Sequence, residues 1–286
     1  MKLATLRTGE TGTTAALALG ADGYLPLPAR DVGELLALPD WQALVAAVAK
    51  GEKSAVVPAN EAELAALLPT AGKVICCGLN YADHIQELGR ERPDYPTLFA
   101  KYADTLIGAA DAIEVYGSER VDWEAELAVV VGATLTRAGE EEAAAAIAGY
   151  TVANDVSMRD WQSRTLQWFQ GKAFDATTPL GPVLVTADEF PAGHGFDVRG
   201  HVNGELVQHG NSSTLVFGPA RLLSYISQFT TLRPGDVVLT GTPGGVGMGM
   251  EPPRFLKDGD VLRTEIDGIG QLENLVRIRP GATASH

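Results

Sequence analysis

The chain has 286 residues, 45% hydrophobic and 20% charged, with a formal net charge of −14, the balance of an ordinary globular protein with room for one sizeable catalytic domain and a smaller appendage. No run of lysine or arginine occurs; counterion release from phosphates needs clustered cations, so nucleic acid and anionic membrane are poor partners. The only cysteines, Cys76 and Cys77, are neighbours whose side chains would leave a strand on opposite faces, which argues against a disulfide between them and fits a reducing compartment.

The opening stretch MKLATLRTGETG lacks the continuous apolar core of a signal peptide, and the apolar run 43–49 is too short to span a bilayer, so a cytoplasmic protein is expected. Residues 1–70 read as a small α+β domain. Short strands at 3–7, 15–19 and 24–27 precede three helical stretches, the last at 61–68 with Asn60 as its cap and Glu63 three residues on, as in a capping box. Pro69 and Gly72 punctuate a boundary, after which 71–286 forms the catalytic domain.

Strand candidates dominate that second part: 74–79, 98–101, 127–131, 151–153, 183–186, 237–240 and 261–266. Asn203-Gly204, between apolar alternations at 198–202 and 205–209, signals a type I′ hairpin, and a second hairpin joins 261–266 to 272–277. Helices are fewer, at 140–147, 158–166 and 219–228. Strands and helices do not alternate regularly, which argues against a Rossmann or barrel architecture and for an α+β, β-rich fold.

Four segments carry chemistry. In CCGLNYADHIQELG a strand runs into a short helix, with Asp83 as cap and Gly89 as stop. His84 and Glu87 then share one helical face, and a carboxylate that orients and charges a histidine makes a competent general base for water. The same spacing also describes an ordinary surface pair. In DWEAELAVVVG, Glu124 and Glu126 project from one face of a strand that continues as a fully apolar, buried run. Two carboxylates there repel and are poorly solvated, and a bound cation resolves both problems; a polar strand face that happens to carry two glutamates is the alternative. Asp155 ends a further apolar run, GYTVAND, and adds a third oxygen donor. Three carboxylates without nearby Cys or paired His favour Mg²⁺ or Mn²⁺ over Zn²⁺.

The segment MRDWQSRTLQWFQGKAFDATTPLGP supplies Arg159, Gln162 and Lys172, groups suited to carboxylate and keto oxygens, with Lys172 between the small residues Gly171 and Ala173. Arg159 and Arg164 read equally as solvated helix positions, and Trp161 and Trp168 as core. In LTGTPGGVGMGM the glycines suggest a loop whose backbone approaches a ligand, with Thr242 able to hydrogen-bond a carboxylate. It is not a dinucleotide fingerprint, because the glycine spacing fails and Pro252-Pro253 follows in place of a helix.

In this order, the NYADH segment, the E-x-E pair, ANDVS-x-RD, GK-x-FD-x-x-x-PLGP and GTP-x-GVG resemble the fumarylacetoacetate hydrolase superfamily, over roughly 73–277. The resemblance implies a β-rich roll, usually a homodimer, with metal ligands at Glu124, Glu126 and Asp155. It implies a water-activating pair at His84 and Glu87, in a segment that acts as a lid in relatives. Substrate-contacting and charge-stabilising positions fall on Arg159, Gln162, Lys172 and Thr242, and a recurrent lysine on Lys101, its role open. The activity it implies is Mg²⁺- or Mn²⁺-dependent hydrolysis of a C–C bond in acylpyruvates of the fumarylpyruvate kind, releasing pyruvate. An oxaloacetate decarboxylase or a 2-hydroxyhepta-2,4-diene-1,7-dioate-type isomerase fits the same platform. A non-catalytic metal- or ligand-binding protein is the alternative from another class.

Overall fold

The computed structural model describes residues 1–51, 56–82 and 91–281. Its strands are β1 (Lys2–Thr8), β2 (Gly12–Ala18), β3 (Tyr24–Pro26), β4 (Val74–Gly78), β5 (Thr97–Lys101), β6 (Leu106–Ile107), β7 (Ile113–Tyr116), β8 (Val121–Asp122) and β9 (Ala125–Val131). They continue as β10 (Ile147–Asn154), β11 (Ser157–Met158), β12 (Thr178–Thr186), β13 (Asp197–Val202), β14 (Glu205–Asn211), β15 (Val237–Leu239), β16 (Val261–Ile266) and β17 (Gly270–Arg279). The α-helices among the described residues are α1 (Val32–Ala37), α2 (Trp41–Lys50), α3 (Glu140–Ala145), α4 (Arg159–Gln162), α5 (Phe169–Lys172) and α6 (Pro219–Ser227). The fold is strand-rich, as expected.

The large sheet runs β3-β2-β1-β12-β10-β9-β15-β4-β5, with β6 beside β12; a second sheet runs β14-β13-β16-β17-β7, and β8 pairs with β11. β9 lies at the heart of the large sheet, and every one of its residues is buried. Alternation sends its side chains to three covers. Ala128 and Val130 join Leu35 and Val45 of α1 and α2, Val129 and Val131 join Ala143 and Leu222 of α3 and α6, and Ala125 and Leu127 meet Val198, Ile266 and Leu272 of the second sheet. A strand apolar on both faces is what this sandwiching requires.

β1 pairs antiparallel with β12, so the N-terminal strands extend the same sheet that carries β9 and β10. The 61–68 helix does not form. Those residues run alongside β1 instead: Arg7 N donates to Glu63 O, Ala65 N donates to Thr5 O, and Leu64 bridges Leu6. Backbone pairing to a ready strand edge outweighs a local capping preference. The helix expected at 158–166 is a single turn, α4, because the chain turns back after Ser163 to place α5 against it. The hairpin at Asn203-Gly204 forms with both residues at positive φ (52° and 83°), as a type I′ turn demands. Cys76 and Cys77 are free and buried. Among the described residues no helix is long and apolar enough to cross a membrane.

Candidate active site

The register of β9 on β10 builds the site. Ala125 pairs with Asn154 and Glu126 with Ala153, so the residues just beyond the ladder, Glu124 and Asp155, also meet, and Asp155 N donates to Glu124 O at 2.9 Å. Asn154 reinforces the junction: its Oδ1 accepts from Glu124 N at 3.0 Å and its Nδ2 donates to Thr264 Oγ1 at 2.9 Å. Glu126, two residues after Glu124, falls on the same face. Carboxylate oxygens of Glu124, Glu126 and Asp155 lie within 4.8 Å of one another, and all three residues are buried.

Cations converge on this cluster from three elements. Lys172, at the end of α5, donates to Glu124 Oε2 at 2.7 Å and to Asp155 Oδ2 at 2.8 Å. Lys101, at the end of β5, donates to Asp155 Oδ1. Arg159, opening α4, reaches Glu124 Oε1 through Nη2 at 2.7 Å, Asp122 Oδ2 through Nε at 2.8 Å and Gln162 Oε1 through Nη1 at 2.8 Å. Glu126 receives a different partner. Gly241 N donates to its Oε2 at 2.7 Å, and among the described residues no cation is paired with it. Gly241 sits at φ 101°, where a side chain would strain the backbone, so a glycine is what aims this amide at the carboxylate.

The charge states follow. Burial works to raise the Asp155 carboxyl, but the ammonium groups of Lys101 and Lys172 overcome it and hold it below its ordinary value. Burial works to lower Lys172, and Asp155 and Glu124 more than offset this, so it stays an ammonium. Glu126 goes the other way: burial, then the charges of Asp155 and Glu124, push its carboxyl well above the usual carboxylate range. With Asp122 included, four carboxylates face three cations, so full ionisation leaves one negative charge in excess. A divalent cation reverses the sign of that excess and stabilises the ionised form of Glu126. Three hard oxygen donors with no nitrogen among them suit Mg²⁺ or Mn²⁺; the residues therefore fit such an ion.

Beside the cluster opens a cavity of about 430 Å³. Glu124, Arg159, Gln162, Lys172 and Thr242 give it a polar floor, while Phe99, Trp168, Val246 and Met248 wall it. Cys77 also lines it, but burial pushes that thiol up to about 12, so it is a neutral wall and not a nucleophile. The Thr242 hydroxyl is already engaged, donating to Ala125 O at 2.9 Å and accepting from Gln208 Nε2 at 2.8 Å, and keeps one acceptor site for a ligand. Of the residues singled out in the sequence, Glu124, Glu126, Asp155, Arg159, Gln162, Lys172 and Thr242 converge here; His84 and Glu87 lie outside the described residues. Sequence reasoning passed over Asp122, although Asp122, Glu124 and Glu126 alternate with the period of a strand face. It also passed over Gln208, which bridges Ala125 and Thr242 and carries no local signal.

Residues 73–277 match the family profile described as fumarylacetoacetate (FAA) hydrolase C-terminal. The chain is 46% identical over 224 residues to an oxaloacetate tautomerase from Xenopus laevis, described as mitochondrial, covering 77% of this chain and 70% of the frog protein. Among solved structures it resembles fumarylacetoacetate hydrolase from Exiguobacterium antarcticum, with a TM-score of 0.82 and 33% identity over 98% of this chain and 100% of that one. It also resembles 5-carboxymethyl-2-hydroxymuconate delta-isomerase from Mycobacterium smegmatis, with a TM-score of 0.78 and 30% identity, again over 98% and 100%.

Proposed function

The chain belongs to the fumarylacetoacetate hydrolase family, and we propose that it interconverts the enol and keto forms of a 2-oxo dicarboxylate of the oxaloacetate kind, with Mg²⁺ or Mn²⁺ held by Glu124, Glu126 and Asp155. The observation that carries this reading is the Lys172 ammonium, fixed between Glu124 and Asp155 at the floor of a cavity shared with Arg159. Enolisation takes a proton from the carbon beside the carbonyl and returns one to the carbonyl oxygen, so its barrier lies in the negative charge that develops on that oxygen. A bound divalent ion supplies Lewis-acid polarisation of the 2-oxo group. Lys172, held protonated by its neighbours, adds a fixed positive charge in a water-poor site, where it costs no reorganisation. Arg159 has one N–H on each of Asp122, Glu124 and Gln162, which leaves the rest of its guanidinium for a substrate carboxylate. The named reaction of the frog relative supports the same chemistry.

Hydrolysis of acylpyruvates, the leading expectation from the sequence, becomes the second reading. It is favoured by the apolar wall of Phe99, Trp168, Val246 and Met248, which offers an acyl chain more than a four-carbon diacid needs. The test follows both reactions with one preparation: ultraviolet decay of the oxaloacetate enol, and pyruvate release from a panel of acylpyruvates. Faster tautomerisation with little pyruvate release is the expected result. A protein inert toward oxaloacetate tautomers and fast on an acylpyruvate would give the function to hydrolysis.

A further inference from the structure

We propose that Asp122 is a positioning residue, whose buried carboxylate sets the Arg159 guanidinium against the substrate and ties the 246–248 wall of the cavity to the same point. The proposal rests on the reading of Arg159 as a carboxylate-binding group. Asp122 is 0% exposed and its oxygens are shared between three elements. Oδ1 accepts from Trp123 N at 2.8 Å and Gly247 N at 2.7 Å; Oδ2 accepts from Met248 N at 3.0 Å and Arg159 Nε at 2.8 Å. Burying a carboxylate is costly, and where only packing is at stake an apolar side chain serves as well. Here each oxygen takes two donors, and two of the four, Arg159 and Met248, belong to the floor and the wall of one cavity.

The guanidinium is held at all three nitrogens, by Asp122, Glu124 and Gln162, so its plane is fixed before any ligand arrives. Release of the Nε contact leaves the guanidinium held only at its two terminal nitrogens, so its plane can tilt. The loop is matched to the carboxylate. A Cβ at Gly247 would collide with the Arg254 carbonyl oxygen and press on Asp122 Oδ1 at 2.8 Å, so only a glycine lets this backbone amide come so close. Val246 and Met248, on either side of it, line the cavity. Asp122 thereby couples the position of the charged group that would bind the substrate to the position of the apolar wall.

Asp122→Asn keeps the shape but turns an NH₂ toward N–H donors, and the Arg159 and Met248 contacts are the ones expected to break. Two readouts test the idea on the Mg²⁺-supplemented protein: kcat/KM for oxaloacetate tautomerisation, and calorimetric affinity for oxalate, a planar dianion that is not turned over. Asp122→Asn should lower both about 10- to 100-fold, chiefly through KM. Arg159→Lys, which keeps the charge but loses the Nε–H fork, should match it, and the double variant should be no worse than either single variant. A merely structural Asp122 would give losses that multiply, and that result overturns the proposal. Parental oxalate affinity in Arg159→Lys also overturns it, and keeps the test decisive if Asp122→Asn does not fold. If the parent binds oxalate with this pattern of losses yet never turns over oxaloacetate, the positioning role stands and the tautomerase reading falls.

Discussion

In and just behind the floor of the cavity Lys172, Glu126 and Asp155 are 1%, 1% and 0% exposed, whereas at its mouth Leu166 and Met248 are 98% and 51% exposed. The floor groups stand at the ends of β9, β10 and α5, each tied by hydrogen bonds that the ladder or the neighbouring charges dictate. The mouth is made by the segment between α4 and α5, which carries Leu166, and by the segment after β15, which carries Met248. The difference separates two tasks. Charge placement is over-determined by the fold, so changing it means changing the sheet, whereas the exposed side chains at the mouth can vary without touching it. A tautomerase, a hydrolase and an isomerase among the similar proteins are what such a division allows.

The sharpest way to break the comparison is to alter the floor. Glu126→Gln removes a carboxylate that has no paired cation among the described residues, and should abolish stoichiometric Mn²⁺ binding in a calorimetric titration. The rate should fall on the order of 10³-fold, the several kcal/mol that metal polarisation supplies. Retention of tight Mn²⁺ binding would remove Glu126 from the ligand set.

Lys172→Met comes next. It strips Glu124 and Asp155 of a shared, fully buried ammonium, and loss of one member of such a network costs about 3 kcal/mol or more. The variant should melt well below the parent without divalent cation and recover a large part of the loss with Mg²⁺. No recovery would mean that the ion does not sit among those carboxylates.

The pH dependence is a finer probe. Glu126, with its folded pKa raised, contributes stability that is fully present below the unfolded carboxylate pKa and is lost as pH rises through the folded value. Asp155, with its folded pKa lowered, contributes the reverse: stability present above the unfolded value and lost as pH falls through the folded one. A divalent ion displaces the Glu126 proton, so the rise in Tm on adding Mg²⁺ should grow from acid to neutral pH. A rise that is flat across that range would contradict the raised pKa. The smallest effect belongs to the mouth. Leu166→Ala should change stability by less than about 0.5 kcal/mol, while altering the preference between oxaloacetate and longer 2-oxo acids; an equal change toward all substrates would mean that Leu166 does not read the chain.

Much of the floor was legible in the sequence, because its signals are local. The period-two spacing of Glu124 and Glu126, the apolar run after them and the polar turn at Asp155 each reflect one strand and its end. The Asn203-Gly204 turn was legible for the same reason. The 61–68 segment was not, since what decides it is the edge of β1, more than fifty residues away. Nor was the pairing of Lys101 with Asp155 or of Asp122 with Gly247, which joins residues that only the tertiary fold brings together. Arg159 and Gln162 share a helix face three residues apart, but that the face turns inward to the carboxylates depends on α5 packing behind it.

The central claim is that the buried carboxylates act through a divalent ion, and enol decay of oxaloacetate tests it most directly. The rate should be measured with the parent protein shown metal-free by elemental analysis, then after addition of Mg²⁺ or Mn²⁺, beside Glu126→Gln treated identically. The expected result is acceleration by the parent only with the ion, and none by the variant in either state. Full acceleration by the verified metal-free parent would contradict the claim.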